Sequence, residues 1–444
     1  MLAPFRGIRY ARDRVNGIAN VTSPPYDVIT DGILDHLRAA DPHNVVRLIL
    51  PGQDAGASQA AASLLREWLS AGVLIRDRMP AFYLYEQSAD EQSADEQGLG
   101  EQGGAGSPWL QRGIVALVRL GSPESAAILP HEGVMPGPVA GRRELMEATQ
   151  ANLEPIFLIY DGDDASDDAD TATGVIDRVA AEREPLVTIT TEDGVTHRLW
   201  RLGDPGEQAA IAADLAGRRA LIADGHHRYA AYLGMQADMR ASGRGAGPWD
   251  YGLAFLVDSA AYPPRLGAIH RVLPGLPPER AAELAKAAFT VEDLPAGTSL
   301  DDAERRLAAA GQEGTAFLLA GGAGFRLLSH PDPVQVAAAM PAGASGSWRR
   351  LDASVLQQLL IGHLWGIADS EHSVLIDHDA ADAVRAVSGD TTAAGGTAVI
   401  SNPVSFADVI EIAARGERVP RKSTSFGPKP RTGLVLRAFG PGDS

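Results

Sequence analysis

Asp224-Gly225-His226-His227-Arg228 sets a carboxylate, two imidazoles and a guanidinium around one glycine. Those residue types suit an anionic ligand. Arg228 can offer a planar, permanently charged fork to phosphate oxygens, and His226 and His227 can donate hydrogen bonds or move protons near neutral pH. The flanking sequence says how these groups are held. The apolar run Ala220 to Ala223 reads as a buried strand, Asp224-Gly225 is a turn signal, and His226 to Arg240 carries apolar residues at helical spacing. A helix that starts at this point presents backbone N–H groups and the positive end of its dipole, both of which favour an anion. Taken singly, Asp224 reads rather as a helix cap, with His226 and His227 on a solvated first turn. Gathered at one strand–helix junction, the five residues make a phosphate-site candidate.

Two more stretches carry candidate chemistry. Ile128-Leu129 reads as a strand that ends at Pro130, and His131 and Glu132 follow at once. A carboxylate there can take the proton of an attacking hydroxyl, and the alternative is a solvated loop pair. From Arg415 to Arg431 the chain has six basic residues and one acidic one. Within that segment Lys422, Ser423, Thr424 and Lys429 are suited to phosphate oxygens, although the glycine–lysine order and spacing exclude a Walker A loop. A basic surface segment balancing acidic neighbours is the alternative. Pro24-Pro25-Tyr26-Asp27 is a rigid turn that either presents Tyr26 and Asp27 or uses Asp27 to cap the next helix.

Composition narrows the field. The formal net charge of −18 disfavours broad binding to nucleic acid or anionic membrane, while leaving room for a local phosphate pocket. With no cysteine, thiol redox chemistry is excluded. No apolar run approaches the ~18 residues of a membrane span, and the N-terminus lacks a signal core, so a cytoplasmic protein is expected. Six Asp in residues 161–170 lack the glycine and terminal glutamate of an EF-hand, and read as a linker.

The coarse pattern is α/β with mixed sheets. Helices are expected at 33–40, 57–70, 174–183 and 206–215, and strands at 45–50, 82–85, 114–120, 156–160, 251–257 and 269–272. Pro278 to Leu328 reads as helix, helix, strand, strand, and 352–414 as alternating helices and strands. Gly433 to Leu436 reads as the closing strand. Four segments are anticipated. An N-terminal α/β region spans 1–110, with a disordered insertion at about 87–108 that includes the direct repeat of Ser-Ala-Asp-Glu-Gln at 88–97. A core at 111–275 carries the His131-Glu132 and DGHHR motifs. A small αα–ββ subdomain follows at 276–345, and a C-terminal α/β region with the basic loop at 346–444.

Four landmarks in order, Pro24-Pro25-Tyr26-Asp27-Val28, Pro130-His131-Glu132, Ala223 to Tyr229, and Lys422-Ser423-Thr424 with Pro428-Lys429, resemble those of domain-of-unknown-function family 1015. That prokaryotic family is similar to the SerK-like free-serine kinases of the ParB/sulfiredoxin-like superfamily. The resemblance implies a ParB/sulfiredoxin-like core with additional α/β elements on both sides. It also implies transfer of a phosphoryl group from ADP or ATP to the hydroxyl of serine or a similar small molecule. Asp224, Gly225, His226, His227, Arg228, Lys422, Ser423, Thr424 and Lys429 would hold the nucleotide, and Asp224 would also hold Mg²⁺. Glu132 would be the base, assisted by His131 and His227. Expected partners are therefore a nucleotide and a serine-like substrate, with a homodimer left open and neither nucleic acid nor membrane involved. A ParB-type nucleotide switch without an acceptor is the alternative, although that group's arginine-rich motif and helix-turn-helix are not evident. The chain departs from the family pattern at Gly141-Arg142, where an aspartate is usual before the arginine, and at Ser425, where an aromatic is common.

Overall fold

The computed structural model describes residues 2–52, 54–89, 108–121, 127–162, 170–322, 324–370, 372–388 and 393–440. Most of the expected insertion, including the repeat from Asp90 onward, and most of the acidic run lie outside these residues. Gln87 to Ala89 continue the strand Phe82–Ala89. Two compact units emerge, residues 1–129, 134–264 and 428–444 in the first, and 130–133 with 265–427 in the second. The α/β class with mixed sheets is as read from sequence.

The first unit is built on a nine-stranded mixed sheet. Its order is Ile128–Leu129, Ala220–Asp224, Ile156–Tyr160, Tyr251–Asp258, Trp109–Arg119, Phe82–Ala89, Thr196–Leu202 and Val187–Thr190, with Leu2–Ala3 also on Trp109–Arg119. Ala220–Asp224 runs parallel to Ile128–Leu129 and antiparallel to Ile156–Tyr160. Ile156–Tyr160 and Ala220–Asp224 are buried at every position. Such strands need both faces covered, which explains their continuous apolar runs. Ile114, Leu158 and Leu256 of the sheet pack with Val175, Ile211, Tyr232 and Met235 of the covering helices. The helix His226–Ala241 that leaves the DGHHR strand packs against Pro136–Thr149.

The second unit centres on a six-stranded antiparallel sheet in the order Thr290–Asp293, Gly324–Ser329, Phe317–Gly321, Thr397–Ser401, His270–Leu273, Leu375–Asp377. The 276–345 block is therefore not closed on itself. Phe317–Gly321 pairs with Thr397–Ser401, so the sheet needs strands from the C-terminal region. Arg265–Gly267 pairs separately with Ser425–Gly427.

Two local expectations are corrected. The run read as a strand at 45–50 is the single helical turn Val46–Ile49. Asn44 decides it, because its Oδ1 accepts the Val46 N–H at 2.9 Å while its Nδ2 donates to the carbonyls of Asn20 and Thr22. A short apolar run cannot by itself distinguish the two outcomes. Gly433 to Leu436 does not form the closing strand. Gly433 takes φ +99°, a left-handed turn; Leu436 then forms a single bridge with Ile8, and the strand itself is Arg437–Ala438. Among the described residues no helix is long and apolar enough to cross a membrane.

Candidate functional site

In the first unit, the strand Ala220–Asp224 passes through Gly225 into the helix His226–Ala241, as its sequence predicts. Gly225 is the helix's N-cap, at φ +94°, so no N-cap side chain closes over the first N–H groups. A Cβ at this position would lie 3.1 Å from Ile156 Cγ2. Gly225→Ala should therefore cost about 1–2 kcal/mol from the left-handed backbone alone. The expected result is a lower urea midpoint with an unchanged m-value; an unaltered midpoint would show that the turn relaxes.

Around this turn lies a chain of charged side chains, Arg228 and Asp224 buried, Lys429 and Asp27 partly exposed. Arg228 is 5% exposed, and its two terminal nitrogens donate to Asp224 Oδ2 and to the Pro155 carbonyl. Among the described residues its Nε finds no hydrogen-bond partner. The fork anticipated for phosphate is thus turned inward. Lys429 Nζ lies 2.9 Å from Asp224 Oδ1 and 3.0 Å from Asp27 Oδ2. Burial alone would raise the Asp224 pKa, but Lys429 and Arg228 outweigh it and hold this carboxyl well below the usual range. Lys429 is in turn raised, because Asp224 and Asp27 overcome the cost of burial.

The Pro-Pro-Tyr-Asp turn belongs to the same cluster. Asp27 does not cap the next helix, which begins at Asp31 with Thr30 as N-cap. The Tyr26 ring lies 4.2 Å beneath the Arg142 guanidinium and 5.8 Å from that of Arg228. The Tyr26 N–H donates to Glu154 Oε1 at 3.1 Å. Glu154 Oε2 is 3.9 Å from Arg142. Burial pushes the Glu154 carboxyl upward, against the opposing charges of Arg228 and Arg142. A cleft of about 30 Å³ opens among Arg142, Asn152, Glu154 and Arg228. His226 is buried, and His227 Nε2 accepts the Met135 N–H at 3.1 Å, so that nitrogen is already engaged.

The second unit holds a separate cluster. The Thr424 hydroxyl donates to Glu132 Oε1 at 2.9 Å and lies 2.8 Å from His131 Nε2. A hydroxyl has one proton, so while it donates to Glu132 the His131 Nε2 must carry hydrogen and donate. His131 is fully buried, and its carbonyl accepts the Val419 N–H. His131 is therefore a positioning residue for Thr424. Burial raises the Glu132 carboxyl, opposed by the Thr424 hydroxyl, the Lys422 charge and the Ser423 and Thr424 N–H groups. The Ser423 hydroxyl donates to the Pro420 carbonyl at 2.6 Å, and Arg271 holds the carbonyls of Arg421 and Lys422. Ser423 thus shapes its turn.

The sequence-predicted residues fall into two sets. Asp224, Gly225, His226, His227, Arg228 and Lys429 come together in the first unit, and His131, Glu132, Lys422, Ser423 and Thr424 in the second. No group of three or more His, Asp or Glu side chains suited to a metal occurs among the described residues. Both Asp224 oxygens are engaged by cationic side chains, so the residues as arranged do not form a Mg²⁺ site of their own. Tyr26, Asp27, Arg142 and Glu154 were not among the predicted ligands.

The family model described as "Protein of unknown function (DUF1015)" matches residues 2–354. The chain belongs to that family. The stretch matched by the DUF1015 model includes Asp27, Glu132, Glu154 and Asp224 to Arg228, and ends before Lys422 and Lys429. No curated protein matches the chain. Among solved structures, it is similar to a variant of a free serine kinase in complex with ADP. The identity is 14% over 70% of this chain and 87% of the other, with a TM-score of 0.35. SbnI with a C-terminal truncation, from Staphylococcus aureus, is 11% identical over 73% of this chain and 87% of that one, at a TM-score of 0.36. A conserved hypothetical protein from Pyrococcus furiosus is 14% identical over 73% and 95%, at 0.35.

Proposed function

We propose that this protein is a nucleotide-dependent phosphotransferase, moving a phosphoryl group from ADP or ATP to the hydroxyl of serine or a similar small molecule. The observation that carries the reading is the helix start at Gly225, which has no N-cap side chain and has the Lys429 ammonium bound to the preceding Asp224. Helix N-termini and fixed cations are the common means of holding phosphate oxygens. In this reading Lys429 exchanges its carboxylate partners for phosphate, Arg228 keeps Asp224 and the 155 carbonyl in register, and Glu132 removes the acceptor's proton. Since the side chains do not form a Mg²⁺ site by themselves, no step is assigned to that ion.

A second reading is favoured by one feature of the same cluster. Lys429 and Arg228 are already neutralised by Asp27 and Asp224, so an incoming anion must displace carboxylates. Binding coupled to rearrangement is what a nucleotide switch without an acceptor requires.

Phosphorus NMR of the full chain with Mg²⁺ and ADP, ATP or CTP in turn, with and without L-serine and other small alcohols, separates the two readings. A phosphomonoester signal that requires the acceptor is expected. Nucleotide left intact with every acceptor, or hydrolysed equally without one, would favour the switch.

A further inference from the structure

The sheet of the first unit contains an expensive feature. Gln111, Gln87 and His197 stand opposite one another across three adjacent strands, in registered pairs Gln87↔Gln111 and His197↔Gln87. Tyr85 lies two residues before Gln87 on the same strand face. All four are at most 4% exposed. Polar side chains in a sheet interior cost stability unless each is bonded, and apolar residues would pack there without that demand. Here they are bonded. Gln87 Nε2 donates to Gln111 Oε1 at 2.7 Å, the Tyr85 hydroxyl donates to Gln87 Oε1 at 3.1 Å, and that hydroxyl also lies 2.8 Å from His197 Nδ1.

The row has two outlets. Gln87 Nε2 also donates to the Pro428 carbonyl at 3.0 Å, and the Tyr85 hydroxyl accepts the Arg431 N–H at 3.1 Å. Pro428 and Arg431 bracket Lys429. Arg431 continues the grip, its Nε donating to Thr22 Oγ1 at 2.8 Å, just ahead of the turn that carries Asp27. Lysine is rare in this protein, at Lys286, Lys422 and Lys429 alone in 444 residues, while arginine is common. A compact ammonium between two carboxylates needs its backbone placed closely, because it lacks a guanidinium's rigid fork.

We propose that Tyr85 and Gln87 are positioning residues for Lys429, gripping the chain on either side of it so that its ammonium stays between Asp27 and Asp224. The consequence for ligand binding rests on the phosphate reading above; the placement of the lysine does not.

The test uses the full chain with isotope-labelled lysine, which gives three side-chain signals. The variants are Gln87→Met, which removes all three hydrogen bonds of that amide, and Tyr85→Phe, which removes one oxygen and keeps the ring against Phe255. In the parent protein the Lys429 ε-carbon should stay unshifted through the ordinary lysine range near pH ~10.4. In both variants it should titrate within that range, and the ammonium protons should exchange at least about tenfold faster. A Lys429 signal that titrates and exchanges in Tyr85→Phe as in the parent would overturn the proposal, even if Gln87→Met fails to fold. ADP affinity, measured alongside by calorimetry, should fall about tenfold in each variant and fall no further when either is combined with Lys429→Ala. If Lys429→Ala weakens ADP binding while the lysine signal never moves in either variant, the positioning role fails and the phosphate reading stands. If the signal moves while ADP affinity is unchanged in every variant, the positioning role stands and the phosphate reading fails.

Discussion

Lys429→Ala is expected to weaken nucleotide binding by tenfold or more, about 1.4 kcal/mol at the least, and to lower stability by about 2–3 kcal/mol at pH 7. The stability figure lies below the ~3–5 kcal/mol usual for stripping one partner from a buried pair, because Arg228 still faces Asp224. The lysine side chain is also 25% exposed, so water already screens part of the attraction. The pH dependence identifies the cause. The Asp224 carboxyl is depressed in the folded state, so its contribution is present above the unfolded value near ~4 and is lost as pH falls toward the folded one. Lys429 is raised, so its contribution is complete below the ordinary lysine value of ~10.4 and is lost only as pH rises through the folded one. The gap between parent and variant should be flat from about pH 5 to 9 and narrow by up to about 1 kcal/mol at pH 3. Urea unfolding at those pH values measures it. A gap of equal size at pH 3 and pH 7 would assign the loss to packing and remove the ion-pair account.

How much of each cluster was legible depended on how far apart its members lie in sequence. The strand–turn–helix at Ala220 to Ala241 could be read because its signals are local, with an apolar run, a glycine and helical spacing within one stretch. Glu132 and Thr424 were legible as residue types. Their direct hydrogen bond was not, because 292 positions separate them. Asp27 and Lys429 are 402 positions apart, and no periodicity connects them. Arg228 is a different kind of miss. Its partner Asp224 stands at the i, i+4 spacing that pairs opposite charges on helices, and that signal was present alongside the phosphate reading. The basic segment was read as one loop. In the structure it divides between Gly427 and Pro428, because Ser425–Gly427 pairs with Arg265–Gly267 while Gln87 holds Pro428.

Glu132→Gln is expected to leave nucleotide affinity within about twofold of the parent and to cut phosphoryl transfer by ~10² or more. The substitution keeps the shape of the side chain and turns one of its two acceptor oxygens into an amide donor. The glutamine Oε1 can still accept the Thr424 hydroxyl proton, so His131 and Thr424 keep their arrangement while the basic oxygen is lost. Burial raises the Glu132 carboxyl despite Thr424, Lys422 and the two N–H groups, so the acid limb of the parent's rate should have its midpoint above the ordinary glutamate value of ~4.3. The residual rate of the variant should lack that limb. Stability must move in the opposite sense to rate. A carboxyl with a raised folded pKa binds its proton more tightly when folded, so ionised Glu132 costs stability above the raised value and costs nothing below the unfolded one. The glutamine variant escapes that cost but gives up one acceptor oxygen to the Ser423 and Thr424 N–H groups, so its stability relative to the parent should improve as pH rises from about 4 to 7. Single-turnover rates and urea midpoints across pH 4 to 8 give both readouts on the same samples. A variant that transfers phosphate at the parental rate would remove Glu132 from the chemistry. A variant that loses both rate and stability would assign it to holding the Ser423–Thr424 turn instead.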